Sequence, residues 1–386
     1  MIKKICVLTA TRAEYGLLSP IIKRMREDSE LEVKVVVTGA HLSPEFGLTY
    51  KEIENDGIEI HKKLEILLSA DSPSAISKSM GLAMISFADY FAENEFDGLM
   101  VLGDRYETLA VCCAAMNATI PIIHLHGGET TEGAIDEAVR HAITKMSYLH
   151  FTSTEVYRRR VIQLGENPDR VYNVGAMGVE NALHTPLMTK EELAMDLGID
   201  LKGPYGVLTF HPVTLETNSA EKQMRELLSA LDDIKDMQFI VTRANADTEG
   251  RVINAMLEEY AAKNSNIHVY SSLGMRRYLS AVKYAKLVIG NSSSGLIEAP
   301  AFKVPTINIG DRQKGRIRAE SVIDCEPECE KIISAIKEAL SEGFRAGLRE
   351  MENPYGDGRT SERIVEAIKK RLGNGERNLK KKFYDI

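Results

Sequence analysis

Leu287-Val288-Ile289-Gly290-Asn291-Ser292-Ser293-Ser294-Gly295-Leu296-Ile297-Glu298-Ala299 is the stretch whose reading decides the fold. An apolar strand runs into a Gly/Ser turn, and the turn opens a helix. Backbone N–H groups at a helix start lack partners within the helix, and hydroxyls flank them here, so the turn suits a phosphate. Glu298 falls about one turn into that helix, where a carboxylate can accept hydrogen bonds from sugar hydroxyls. Gly310-Asp311-Arg312-Gln313-Lys314-Gly315-Arg316 then supplies further anion-binding side chains. Together they point to a nucleoside-diphosphate sugar. Read alone, the serine turn is equally a capped helix, since Ser is a common N-cap.

The same strand-then-helix unit recurs on both sides of this stretch. Upstream in the second half, strands are expected at 206–210, 238–242 and 267–270, and downstream at 306–309. In the first half they are expected at 4–9, 32–37, 98–102, 121–125 and 149–152, with helices at 17–26, 76–93, 106–117, 135–145 and 155–164. The strands are short, β-branched and almost wholly apolar, as in a parallel sheet buried on both faces. The fold class is therefore α/β, with two doubly wound Rossmann-like domains. The pattern weakens between Gly175 and Gly203, which reads as a linker holding a short helix near 191–197. The expected domains are 1–178 (sugar and catalytic carboxylates) and 179–364 (nucleotide). Residues 365–386 form a helix and tail, the helical spacing starting at Thr360. A ligand is expected in the cleft between the domains, at the carboxyl ends of the strands.

Composition limits the alternatives. The chain has 386 residues, enough for two domains. Forty-eight basic against 56 acidic residues leave a net charge of −8, which does not suit nucleic acid. Met1–Leu8 enters a strand directly, and no later run is long and apolar enough to span a bilayer, so a cytoplasmic protein is expected. Cys6, Cys112 and Cys113 sit in apolar segments, and Cys325 and Cys329 have no matching second pair for zinc.

The polar clusters fall just after strands. Thr9–Gly16 carries Arg12, suited to a phosphate or to a surface ion pair with Glu14. Thr38-Gly39-Ala40-His41 places an imidazole at the same rim. Gly103-Asp104-Arg105-Tyr106-Glu107 contains Asp104, which alone reads first as a helix N-cap. His124-Leu125-His126-Gly127-Gly128-Glu129 is followed by Asp136, Glu137, Arg140 and His141. No HExxH or similar ligand spacing appears there, so no metal is expected, and acid/base work beside a sugar hydroxyl or amide fits better. In the second half, His211 stands before Pro212, and Arg243–Asp247 follows the next strand.

These residues resemble a known family. TRAEYG, TGAHLSPEFGLTY, VLGDRYE, HLHGGE, AIDEAVRHAITKMS, FHPVT, NADT, IGNSSSGLIE and NIGDRQKGR stand in order from Arg12 onwards, and the chain closes on Phe383-Tyr384-Asp385-Ile386. The whole chain is similar to the hydrolysing UDP-N-acetylglucosamine 2-epimerases of bacterial sialic acid biosynthesis. The resemblance implies the two-domain glycosyltransferase-B fold, with the C-terminal helix crossing back onto the first domain, and a homodimer or homotetramer. It implies that Arg12 and Ser292, Ser293 and Ser294 hold the diphosphate and Glu298 the ribose. Arg312 and His211 would lie near the phosphates and the reacting sugar, and His41 and Asn245 would line the cleft. Asp104 and Asp136 match catalytic carboxylates. Many relatives carry HIEGG where this chain has His126, so either His126 or Glu129 takes that acid/base role, with Arg105 in reach. GNSSSG rather than GNSGG points to the hydrolysing branch.

The reaction so implied is elimination of UDP to 2-acetamidoglucal and then hydration to N-acetylmannosamine. It needs no redox cofactor, because no net electron transfer occurs. Three rivals remain. One is the same reaction on a UDP- or GDP-linked 2,4-diacetamido-trideoxy sugar, on the route to legionaminic acid. Another is a glycosyltransferase of the shared fold, and the last an inactive nucleotide-sugar-binding regulatory protein.

Overall fold

Strand Lys3–Thr9 (β1) is buried along most of its length because its alternate residues feed two helix layers. Ile5 and Val7 pack with Leu18, Ile22 and Met25 of the helix Arg12–Glu27, whereas Cys6 and Leu8 pack with Phe87 and Val111 on the opposite face. Thr11 starts the helix Arg12–Glu27 with a capping box in which Thr11 and Glu14 satisfy each other's backbone N–H groups. The computed structural model describes residues 2–68, 72–130, 136–213, 219–244, 250–373 and 379–386. Contacts divide the chain into two units, and Gly356–Ile386 rejoins the first after Gly178–Tyr355 has built the second.

In the first unit β1 is joined by Leu31–Thr38 (β2), Ile60–Leu64 (β3), Gly98–Leu102 (β4), Ile122–Leu125 (β5), Leu149–Thr152 (β6) and Val171–Asn173 (β7). Among the described residues they form one parallel sheet in the order β3-β2-β1-β4-β5-β6-β7. The order reverses between β1 and β4, which opens a crevice at the carboxyl ends. In the second unit Tyr205–Thr209 (β8), Gln238–Thr242 (β9), Ile267–Tyr270 (β10), Leu287–Gly290 (β11), Thr306–Ile309 (β12) and Val322–Cys325 (β13) form a second parallel sheet. Its order is β10-β9-β8-β11-β12-β13, reversing between β8 and β11. Both sheets are doubly wound, as the alternation of strands and helices requires.

Several local expectations need correction. Strands β3, β7 and β13 are additional to those read from the sequence. The stretch 175–203 carries the expected short helix, at Lys190–Leu197, and a further helix, Met177–His184, that the linker reading did not include. The helix after the serine turn is a single turn, Ser294–Ile297, followed by a 3-10 turn at Ala299–Phe302. Pro300 has no N–H to continue the ladder, so Glu298 is the C-cap of a very short helix rather than a residue inside a long one.

The C-terminal segment belongs to the first unit. Ile364, Val365, Ile368 and Leu372 of the helix Thr360–Leu372 enter the same core as Leu18 and Ile22. Lys369 Nζ lies 2.9 Å from Asp28 Oδ2 and 2.6 Å from Glu30 Oε1. The aromatic tail docks beside β6. Lys381 Nζ lies 2.6 Å from Glu166 Oε2 and donates to the carbonyls of Lys145 and Ser147 at 2.8 Å each. Tyr384 N donates to the Gly165 carbonyl at 3.0 Å.

Candidate active site

At the carboxyl end of β1 the carboxylate of Glu14 accepts hydrogen bonds from Ala10 N at 2.8 Å and Thr11 N at 3.0 Å. Glu14 is thus committed to the backbone, and Arg12 does not pair with it. Arg12 instead reaches Glu52, Nε to Oε1 3.0 Å, on an exposed surface. Burial raises the Glu14 carboxyl to about 7, against the lowering effect of the Ala10 N–H. His41 is completely buried between two hydroxyls, its Nε2 2.9 Å from Thr9 Oγ1 and its Nδ1 2.8 Å from Thr49 Oγ1. Burial lowers it to about 4, so it is a neutral, oriented imidazole near pH 7.

The ends of β4, β5 and β6 gather the densest set of charged groups. Arg105, not Asp104, is the N-cap residue of the helix Tyr106–Asn117, which overturns the capping reading of Asp104. Asp104 instead receives a hydrogen bond from Arg140 Nη2. Arg140 is buried, and its Nη1 donates to the Glu129 carbonyl at 2.8 Å and to Glu137 Oε2 at 3.0 Å. This buried guanidinium anchors the Asp104 carboxylate and fixes the loop that carries Glu129. Glu129 Oε1 accepts from Ser153 Oγ at 2.8 Å and lies 3.3 Å from His126 Nδ1. His126 itself has φ +64°, a left-handed backbone that only a few non-glycine residues adopt. Asp136 opens the helix Asp136–Met146, one turn ahead of Arg140. Asp104, His126, Glu129 and Arg140 therefore gather at the carboxyl end of the first sheet. His124 is a core histidine: its Nε2 lies 2.8 Å from the Gly103 carbonyl, and burial lowers it to about 3.

In the second unit Asn291 ties the two central strands together. His211 N donates to Asn291 Oδ1 and Asn291 Nδ2 donates to the His211 carbonyl, both at 2.8 Å. Arg312 Nη1 and Gln313 Nε2 donate to the Asn291 carbonyl at 3.1 and 2.9 Å. Burial and then the positive charge of Arg312 lower His211 to about 4, leaving it neutral near pH 7. Gly290 has φ +130°, and a Cβ there would stand 1.9 Å from the Thr209 carbonyl oxygen, so only glycine allows β11 to turn here. Ser292, Ser293 and Ser294 follow, half-buried, and Ser293 makes no side-chain capping bond to the short helix. Glu298 Oε2 is buried with no hydrogen-bond partner among the described residues. Burial raises the Glu298 pKa, against the Ser294 hydroxyl. Asn245 lies outside the described residues.

Ser153 is a supporting residue that the sequence reading did not name, whereas Arg140 and Asn291 stood inside the quoted motifs without a role of their own. The one available signal was the one-turn spacing from Asp136 to Arg140. Among the described residues no group of three His, Cys, Asp or Glu side chains is arranged to hold a metal, and no helix is long and apolar enough to cross a membrane.

The family model described as UDP-N-acetylglucosamine 2-epimerase matches residues 23–369. The chain is 46% identical over 325 residues to the GDP/UDP-N,N'-diacetylbacillosamine 2-epimerase (hydrolyzing) of Campylobacter jejuni, covering 84% of each chain. It is 44% identical over 385 residues to polysialic acid biosynthesis protein P7 of Escherichia coli, covering 100% of this chain and 98% of that one. The fold matches a Methanocaldococcus jannaschii UDP-GlcNAc 2-epimerase crystallised with UDP-GlcNAc and UDP, with a TM-score of 0.78, 21% identity, and 95% and 99% of the two chains covered. The two parallel sheets are thus those of the glycosyltransferase-B type epimerase fold, and the chain belongs to the UDP-N-acetylglucosamine 2-epimerase family.

Proposed function

We propose that this protein is a hydrolysing 2-epimerase that converts UDP-N-acetylglucosamine and water to N-acetylmannosamine and UDP. The observation that supports the reading is the group of polar side chains at the carboxyl end of the first sheet, Asp104 held by buried Arg140 beside Glu129 and His126. A base removes the C2 proton as the C1–oxygen bond to UDP breaks, giving 2-acetamidoglucal. Water then adds at C1, and a proton returns to C2 on the opposite face, which inverts it. Asp104, Asp136 and His126 or Glu129 move these protons, and Arg105 binds the substrate at the same end of the sheet. In the second unit Ser292, Ser293, Ser294 and Arg312 stabilise the charge developing on UDP, with Glu298 on the ribose and neutral His211 as a hydrogen-bonding group near the phosphates. Arg12 and His41 are further binding candidates on the first unit.

A second reading keeps this chemistry but changes the sugar to a nucleotide-linked 2,4-diacetamido-trideoxy hexose. It is favoured by the 46% identity to the Campylobacter jejuni enzyme. A proton and phosphorus NMR time course in deuterated water separates the two. Deuterium at C2 of free N-acetylmannosamine, together with UDP, supports the first reading. Unchanged UDP-N-acetylglucosamine with turnover of the diacetamido substrate supports the second, and turnover of neither removes both.

A further inference from the structure

Consecutive residues after β4 take different partners. Asp104 accepts from Arg140, whereas Arg105 turns to Glu107, in the first turn of the next helix. Glu107 is completely buried, a rare position for a carboxylate unless it is paired. Its Oε1 accepts a hydrogen bond from Arg105 Nε at 2.5 Å, while its buried Oε2 has no hydrogen-bond partner among the described residues. The Arg105 side chain is 42% exposed, and among the described residues its terminal nitrogens meet no protein acceptor. The inner edge of this guanidinium is anchored and its outer edge is open.

We propose that Glu107 is a positioning residue that holds Arg105 by Nε, so that its two Nη groups are presented to oxygens of the bound nucleotide sugar. The inference rests on the proposed substrate-binding role of Arg105 and adds the group that aims it. An unanchored arginine must lose its rotamer freedom each time it binds, whereas one fixed at Nε keeps a planar fork ready for two oxygens. Lysine does not reproduce this arrangement, because it has no Nε to anchor and its ammonium is a point charge on a flexible stem rather than a planar fork. The buried carboxylate in turn depends on Arg105 for its charge partner.

The test compares kcat, KM, UDP affinity and melting temperature for wild type, Arg105→Lys, Arg105→Ala, Glu107→Gln and the double variant Arg105→Ala/Glu107→Gln. Arg105→Lys keeps the charge but loses Nε, and should lower kcat/KM by about ten- to a hundredfold, the worth of one charge-assisted hydrogen bond. Glu107→Gln should lower kcat/KM by about tenfold alone and by less than about twofold when Arg105 is already alanine. A merely structural ion pair would shift melting temperature and leave that coupling absent. Wild-type kinetics in Arg105→Lys, or an equal Glu107→Gln effect in both backgrounds, would overturn the proposal. Should Glu107→Gln not fold, Arg105→Lys decides alone. A wild type that turns over no UDP-linked sugar is a failure of the functional reading instead, and the same series is then judged on UDP affinity.

Discussion

Gly178 and Glu298 meet so closely that the smallest side chain would disturb them. A Cβ on Gly178 would stand 2.2 Å from Glu298 Oε1, at the movable end of the carboxylate. Gly178→Ala should therefore displace Glu298 rather than unfold the unit, since alanine also favours the helix Met177–His184. If Glu298 holds the ribose, UDP affinity measured by calorimetry falls about tenfold, the worth of about one hydrogen bond to a charged group, with the melting temperature nearly unchanged. Unchanged affinity removes Glu298 from the nucleotide site. Asp136 allows a complementary test on the first unit. Asp136→Asn keeps the shape and loses the base, so turnover should drop by at least about a hundredfold while UDP affinity stays within about twofold. Wild-type turnover excludes Asp136 from proton transfer. These candidates were legible because each follows a strand. Their supports were not, since Asp104 and Arg140 are 36 residues apart and Glu129 and Ser153 are 24 apart. Spacing in sequence carries no sign of such pairings.

The central strands read as apolar runs because both faces are covered. Edge strands β3, Ile60-His61-Lys62-Lys63-Leu64, and β13, Val322-Ile323-Asp324-Cys325, are half-exposed and carry charges that discourage pairing with another sheet, which erases the signal. The three-residue β7 is too short to show a period. The helix Met177–His184 escaped because Gly175 and Gly178 read as linker, although Gly178 is small to fit Glu298. The tail posed a different problem: its helix has clear spacing, but the partner of Lys381 is the remote Glu166, in the loop between the helix Glu155–Gln163 and β7. Glu166 is only 2% exposed and also meets Lys145 Nζ at 2.6 Å and His150 Nε2 at 3.0 Å. Lys381→Met removes one of three partners and two carbonyl contacts, and should cost about 1–2 kcal/mol because the others remain. In a domain of this size that lowers the melting temperature by about 2–6 °C in scanning calorimetry. A shift below about 1 °C means the tail contributes nothing there.

Across the whole molecule, buried histidines set how stability responds to acid. Burial pushes His41 to about 4, His124 to about 3 and His211 to about 4, each from an ordinary value of 6.5. Between about 4 and 6.5 the unfolded chain binds protons on these rings that the folded chain does not. Stability from them is complete above 6.5 and is lost as pH falls through that window. Glu14 acts with the opposite sign: raised from 4.5 to about 7, it binds a proton in the folded state first, so its contribution falls as pH rises from 4.5 to 7. Near pH 5.5 these three histidines outweigh Glu14, and the four groups together take up roughly two protons on unfolding, a slope of about 2 kcal/mol per pH unit. His61, His150 and His268, also lowered by burial, act in the same direction, and Glu298, raised by burial, acts against them. Glu166 adds nothing in this range, because its carboxyl is held at about 2 and its share is lost only below 4.5. The midpoint of thermal unfolding should hence be nearly flat from pH 7.5 to 7 and fall by several degrees from pH 6.5 to 5. His124→Gln should flatten the slope by about one proton, since glutamine can still donate to the Gly103 carbonyl but does not titrate. A midpoint independent of pH from 7 to 5 would mean that these rings accept protons in the folded protein, and the neutral imidazole at His211 would then be lost as a premise of the mechanism.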